Sequence, residues 1–396
     1  MPDKDRLASL ECLRAACALA VLFSHLHVES IGLKTNVLLI SLASFSLEAV
    51  VGFFVLSGCV ISLQDYRDVG HYVRARLVRI LPIYYLLLAA SVGAMAVFGL
   101  SSGPLRIIGN ALFAQTLFWD PLFPVRWYIP SWSLAYELYY YAAFIAIMFR
   151  PRLVMPLLVV SVAVGLLMYP LHLPPSDVLS AILHPIAYFS MWLAGVVVTR
   201  VVQARRSVSM ATGAFMFMIG ICLSRVPFSE PSSYDFFRLF GFGVGFATLL
   251  WALVSKAKIS QPESTLDFGL IARCALSAAT LAVLWHFSTS HTGMKTVVSV
   301  GLALFTFAPQ VMVRAISAAL RPAEPVLVYI GGLSYALYLI HDPLLQISNV
   351  FSPLPAVANV AIVAVLSFTF AHALDYIFQP WVRARLSRRR PPSAAR

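Results

Sequence analysis

An all-α bundle of membrane-spanning helices is the fold class that the sequence predicts, and three observations predict it. Hydrophobic residues make up 60% of the 396 residues and charged residues only 12%, against roughly 45–50% and 25% in soluble globular proteins. The mean hydropathy is +0.83. Arginine and lysine collect at the ends of apolar runs that are long enough to cross a bilayer. Surface this apolar is solvated by lipid rather than water, and inside lipid a helix satisfies its own backbone. The same composition excludes intrinsic disorder, collagen, coiled coil and a small disulfide scaffold.

A spanning helix needs about 20 mostly apolar residues. Candidate spans fall near 9–29, 44–64, 80–99, 131–149, 153–169, 185–202, 208–226, 234–254, 271–289, 296–316, 327–348 and 357–377, about twelve in all, with ten or eleven as alternatives. The first run carries Glu11, Arg14 and His25 and no small-residue cleavage site follows it, so it is expected to stay as a helix rather than leave as a signal peptide. The apolar stretch 104–119 is short and runs into Asp120-Pro121-Leu122-Phe123-Pro124, which predicts a re-entrant or surface element. Residues 1–380 read as one transmembrane domain, and 381–396 as a basic cytoplasmic tail.

The formal charge is +12, from 29 basic and 17 acidic residues. In a soluble protein such a balance would point to nucleic acid. Here the basic residues flank apolar runs, where they set membrane orientation, so no nucleic-acid partner is expected. With both termini cytoplasmic, Arg67, Arg74, Arg76, Arg79, Arg150, Arg152, Arg200, Arg205, Arg206, Lys256 and Lys258 fall on one side. The opposite loops are poorer in Lys and Arg, with Arg106 and Arg126 as exceptions. The five cysteines show no CxxC spacing and read as small hydrophobes, so neither a disulfide nor a metal site is expected.

Ionisable groups inside a span are costly unless paired or hydrated, and each raises a functional question. Arg14 and His25 stand eleven residues apart. At about 100° per residue they share one helix face, separated by about 16 Å of rise. They form either one polar stripe or an inner-end anchor plus an unrelated interfacial histidine. Glu48 opens the second span at the depth where His25 ends, so it is a candidate to orient the imidazole. Ser57-Gly58 suits a close helix contact. Arg74, Arg76 and Arg79 gather where the third span begins; their forks suit phosphate oxygens, or lipid head groups. Glu137 lies about two turns inside the fourth span without a cation beside it in sequence, so its partner must come from another helix. His341 and Asp342 are a second buried pair, and His372 and Asp375, three apart, read as structural.

These segments, taken in order, resemble the acyltransferase 3 family of integral membrane proteins. The resemblance rests on Arg14-X10-His25, Phe53 to Gly58, Arg79-Ile80-Leu81-Pro82-Ile83-Tyr84-Tyr85, Trp132-Ser133-Leu134-X-X-Glu137, and Ser334-Tyr335-X-Leu337-Tyr338-Leu339-Ile340-His341. The motifs cover roughly 10–145 and 330–345, while 150–325 matches only as a run of apolar helices. One departure is Val51, where many relatives carry an acid two residues before the Phe-Phe pair; Glu48 is one turn earlier.

The resemblance implies a multi-pass protein of the bacterial inner membrane. It implies transfer of an acyl group, usually acetyl, from cytoplasmic acyl-CoA to a hydroxyl of a sugar in an exopolysaccharide, lipopolysaccharide or related glycolipid. Arg14 and His25 match the family's essential pair, and Ser57, Arg79, Tyr84, Glu137 and His341 stand where its pattern recurs. On that basis His25 is expected to act as base, with Glu48 or Glu137 fixing its tautomer. Arg14 is expected to bind CoA or stabilise charge. Arg74, Arg76, Arg79, Tyr84 and Ser57 are expected to meet the donor, and Tyr338 and His341 are further candidates. Acyl-CoA (acetyl-CoA or a longer chain), a sugar or glycolipid acceptor and membrane lipid are the expected partners, without a metal. A covalent acyl-enzyme on His25 or Ser57 is the competing scheme, and a secondary transporter of a sugar or lipid-linked substrate the competing function.

Overall fold

The computed structural model describes residues 4–26, 45–117, 125, 127–171, 177–226, 235–259, 261–287, 292–351 and 355–388. Its long helices are α1 (Lys4–His25), α2 (Ser46–Leu63), α3 (Val69–Val97), α5 (Trp132–Phe149), α6 (Val154–Leu171), α7 (Val178–Gln203), α8 (Met210–Ser224), α9 (Asp235–Lys258), α10 (Leu270–Phe287), α11 (Thr292–Phe307), α13 (Glu324–Phe351) and α14 (Ala356–His372). Three shorter helices complete the set: α4 (Pro104–Ala111), α12 (Pro309–Leu320) and α15 (Gln379–Arg388). Two three-residue strands, β1 (Arg206–Val208) and β2 (Ser264–Leu266), pair in parallel. Strands this short leave no period to read in a sequence.

Nine helices among the described residues are long and apolar enough to cross a membrane. They do not map one to one onto the predicted spans. Helix α5 is as long as a span but is diluted by Glu137 and Tyr136, Tyr139, Tyr140 and Tyr141. Helices α8 and α11 are apolar but short. The predicted span 296–316 is broken, because α11 ends at Phe307 and Pro309 opens α12. Proline lacks the N–H that would continue the ladder and drives the preceding residue out of the α region, and Ala308 sits at φ −133°, ψ 48°. The stretch 104–119 holds only the eight-residue α4, as a surface element would; Asp120 to Pro124 lie outside the described residues. The basic segment that begins at 381 is helical to Arg388, where Arg74 Nη2 donates to the Leu386 carbonyl at 2.8 Å and ties α15 to α3.

The core runs through α1, which packs on α13 and α2, and through α2, which packs on α7. Helices α6 and α9 flank α7, and α8 pairs with α9. A second, smaller core joins α8 to α10 and α11 through Phe215, Cys222, Leu284 and Leu302. The outer faces of the peripheral helices carry exposed Ile271, Val300, Val311 and Val365, a surface suited to acyl chains rather than water.

Two features set the geometry of the centre. Pro82 sits inside α3 and withholds the hydrogen bond that the Val78 carbonyl would otherwise accept. Gln379 Nε2 supplies that bond at 2.6 Å, and the Tyr335 hydroxyl donates to the Ile80 carbonyl at 2.8 Å. The break in α3 is thus held by α13 and by the segment after α14. The second feature is the crossing of α2 and α7, built on two glycines. A Cβ on Gly58 would lie 2.0 Å from the Trp192 carbonyl oxygen, and one on Gly195 2.0 Å from that of Val55. Both neighbours are backbone, which cannot turn aside as a side chain can, so the helices touch main chain to main chain, as small-residue membrane crossings do.

Gly58→Ala and Gly195→Ala should each separate α2 from α7 and destabilise the protein by at least the roughly 1–3 kcal/mol of ordinary overpacking. Thermal unfolding of the purified variants in detergent measures this. Wild-type melting of both would show that the crossing is looser than described.

Candidate functional site

Residues of five helices converge, and where a helix supplies several they repeat at helical spacing. On α2, Val50, Phe53, Ser57 and Val60 lie three or four apart and share a face. On α5, Ser133, Glu137 and Tyr141 are each one turn apart. Together with Arg14 of α1, Arg76 and Arg79 of α3, and Ser334, Tyr335 and Tyr338 of α13, they line an interior cavity of about 150 Å³. A larger vestibule of about 660 Å³ opens at the arginine-rich end and shares Arg14, Val60, Arg76 and Arg79 with it. Its remaining polar wall includes Glu11, Gln64, His71, Arg74 and Arg383. The two spaces therefore meet at a neck of three arginines.

Each arginine of the neck is held by a different device. Arg14 Nη1 bonds Glu11 Oε1 at 2.8 Å within its own helix. Arg76 Nη2 donates to Gln64 Oε1 at 2.8 Å and lies over the Tyr66 ring. Arg79 Nη1 pairs with Asp375 Oδ1 at 2.6 Å and lies over the Tyr335 ring. Asp375 was read as a structural partner of His372; instead His372 meets Tyr329, and Asp375 also accepts the Ala336 N–H at 3.2 Å. It can do so because residues Ala373–Phe378 form a π-turn that redirects the side chain between helices.

Glu137 faces the cavity. Its Oε1 accepts from Ser57 Oγ at 2.7 Å and from the Tyr141 hydroxyl. Trp192 Nε1 donates to Ser57 Oγ at 3.3 Å. This network is separate from His25, so Glu137 does not fix the imidazole.

His25 ends α1, and its partner is another imidazole. The rings of His25 and His341 meet edge to face with centroids 5.0 Å apart. In each ring Nδ1 faces the carbonyl one turn earlier, Val21 at 2.9 Å and Leu337 at 3.1 Å. A carbonyl only accepts, so Nδ1 carries the proton and Nε2 the lone pair in both. Among the described residues, His341 Nε2 is buried and meets no hydrogen-bond partner. Asp342, the residue after His341, accepts the Ile129 N–H at 3.1 Å and a hydrogen bond from Gln346 Nε2 at 3.2 Å. Neither imidazole lines the inner cavity. Tyr338 stands between, lining the cavity with its ring centroid 6.2 Å from that of His341.

Two expectations are corrected. Glu48 does not orient His25: it is bound to Arg225 and, at 3.3 Å, to Arg238, in a buried cluster that joins α2 to α9 and the end of α8. One turn of helix near a histidine in depth is not proximity when the side chain points to the opposite neighbour. Tyr84 lines neither space; it is fully buried, stacks on Phe113 and donates to the Asn110 carbonyl at 2.8 Å. Asp342, Asp375, Gln379 and Arg383 are the residues that sequence reasoning placed least well. Asp342 carried a signal in its adjacency to His341, and Asp375 in its place inside an apolar span, though not the identity of its partner. Among the described residues, no group of three His, Cys, Asp or Glu is placed to hold a metal ion.

A polytopic membrane protein with a basic vestibule leading to an interior polar cavity is what the fold and site define. Its family is acyltransferase 3: the chain matches the acyltransferase domain over residues 7–376, from the first helix into the π-turn, and belongs to that family. It is thus a multi-pass membrane acyltransferase. No curated protein and no solved structure matches the chain.

Glu48→Ala should take the carboxylate from the buried Arg225 guanidinium and the partly buried Arg238 one, and breaking a buried pair costs about 3–5 kcal/mol. Glu137→Gln, at a cavity wall, should cost less. Thermal melts of the two variants test this, and a Glu48→Ala protein as stable as wild type would remove the structural assignment.

Proposed function

We propose that this protein transfers an acyl group, acetyl by preference, from cytoplasmic acyl-CoA to a hydroxyl of a sugar in a polysaccharide or glycolipid at the bacterial inner membrane. The observation that carries the reading is the continuity from vestibule to inner cavity. Arginines crowd the open end, and the closed end stops beside a pair of imidazoles whose Nε2 lone pairs are free of their own helices. Acyl-CoA has the matching polarity: an anionic nucleotide, a neutral arm and a small reactive tip. His71, Arg74, Arg76, Arg79 and Arg383 would meet the phosphates, since guanidinium forks suit phosphate oxygens. Glu137, with one oxygen committed to Ser57 and Tyr141, would accept from the amide N–H groups of the pantetheine arm.

The thioester needs no activation, whereas the acceptor hydroxyl does. His25 Nε2 takes the hydroxyl proton as the acceptor oxygen bonds to the thioester carbon. The tetrahedral centre then collapses, the C–S bond breaks, and the imidazolium returns the proton to the CoA thiolate. Asp342, next to His341 in the chain, supplies negative charge on this side of the cavity, while the Val21 carbonyl rather than Glu48 or Glu137 fixes the tautomer of His25. Arg14, about 16 Å down the helix from His25, belongs to the donor's path rather than to the reacting centre. Ser57 donates its proton to Glu137 in the resting protein; as the acyl carrier of a two-step route it would be found acylated by mass spectrometry after exposure to acyl-CoA alone.

His25→Ala should lower acceptor acylation by about 10²–10⁴-fold, the usual contribution of a positioned base, while CoA affinity measured by calorimetry stays within a few-fold of wild type. Full acylation by a correctly inserted His25→Ala protein would remove the base assignment. Arg76→Ala and Arg79→Ala should each weaken CoA binding by roughly tenfold or more, as loss of a charge-assisted hydrogen bond of about 1.5–3 kcal/mol predicts. Unchanged affinity in both would return these residues to membrane topology. A sugar carrier could use the same cavity; acceptor-dependent release of free CoA by the purified protein separates transfer from transport.

A further inference from the structure

We propose that Phe53 and Tyr338, with Val50 one turn further along α2, form the end wall of the acyl pocket and set the length of acyl chain that the donor can present, which rests on the acyl-CoA reading above. Both side chains line the inner cavity. Their rings meet edge to face with centroids 5.9 Å apart, Phe53 from α2 and Tyr338 from α13. Tyr338 is tethered: its hydroxyl donates to the Pro130 carbonyl at 3.0 Å and lies 2.8 Å from Ser133 Oγ. Phe53 has no polar tether and keeps part of its surface toward the cavity.

Position along the helices gives the wall its function. Val60, near the vestibule, and Phe53 are seven residues apart on one face of α2, about 10 Å of rise. A thioester that enters past the arginine neck leads with its acyl group and meets these rings. Behind Tyr338 stand His341 and then His25. A two-carbon chain brings the thioester carbon up against the wall. A longer chain holds that carbon back toward the vestibule, away from His25, or must push the rings apart.

The test uses S-alkyl-CoA thioethers, which bind as donors but cannot transfer, with the purified full-length protein in detergent and calorimetry as readout. In the wild type, S-hexyl-CoA should bind no tighter than S-ethyl-CoA. In Phe53→Ala the S-hexyl to S-ethyl affinity ratio should rise by about fourfold per accommodated methylene, which is 0.8 kcal/mol converted at 25 °C, to an order of magnitude or more. Phe53→Leu should give a smaller rise of the same sign and serves where the alanine variant does not fold. A wild type that already prefers S-hexyl-CoA strongly, or variants that keep the wild-type ratio, would overturn the wall while leaving the donor site standing. A wild type that binds no CoA thioether at all would instead remove the donor reading, and the wall with it.

Discussion

Arg79 keeps its place through a carboxylate 296 residues away in the chain. The side chain of Asp375 is 3% exposed and that of Arg79 32%, so the acid is committed to the protein while the base still reaches the water-filled mouth. That asymmetry is the constraint on which the rest depends. A buried carboxylate needs a charge partner and hydrogen bonds, and Asp375 has one contact on each oxygen, Arg79 on Oδ1 and the Ala336 N–H on Oδ2. It thereby fixes three elements at one point: the third helix, the helix that carries Tyr335 and Tyr338, and the π-turn itself. The π-turn spends one residue of helical register to aim Asp375 inward, a device often found next to sites.

The stripe principle accounts for what could be seen in the sequence. Arg14 and His25 do share a helix, and Ser57, Arg76, Arg79 and Glu137 do gather around one cavity, because spacing of three, four or eleven residues determines which side chains share a face. Partnership across helices was not legible. Glu48 had the right depth to meet His25, yet it turns to Arg225 and Arg238, and nothing in a single chain's periodicity says which neighbour a helix face will meet. Asp375 and Gln379 were hidden for the same reason. Hydropathy failed in a different way. It counts apolar length, so it ran 296–316 together across Pro309.

The interior divides into two chemistries. Near the mouth, three arginines face one glutamate, an arrangement suited to holding a molecule with anionic and neutral parts in a fixed order. Beyond Tyr338 lie two imidazoles and an aspartate with backbone anchors. A dry, low-dielectric interior strengthens every charge effect, so the separation of the cationic neck from the imidazole pair keeps positive charge away from both rings. The polar network of Ser57, Glu137, Tyr141 and Trp192 lies on the mouth side of this divide, within one hydrogen-bonded cluster, and rigidifies the wall on which α2 and α5 meet.

The glutamine that completes the broken ladder of α3 has a consequence for how the molecule comes into being. Val78, Arg79 and Pro82 are synthesised well before their partners: Asp375 follows Arg79 by 296 residues and Gln379 follows Val78 by 301. Until then the third helix lacks a partner for its orphaned carbonyl, and the mouth lacks both the counter-charge of one arginine and the wall that carries Arg383. The early helices therefore insert before their final partners exist, and the mouth takes its described form only once Asp375, Gln379 and Arg383 reach it.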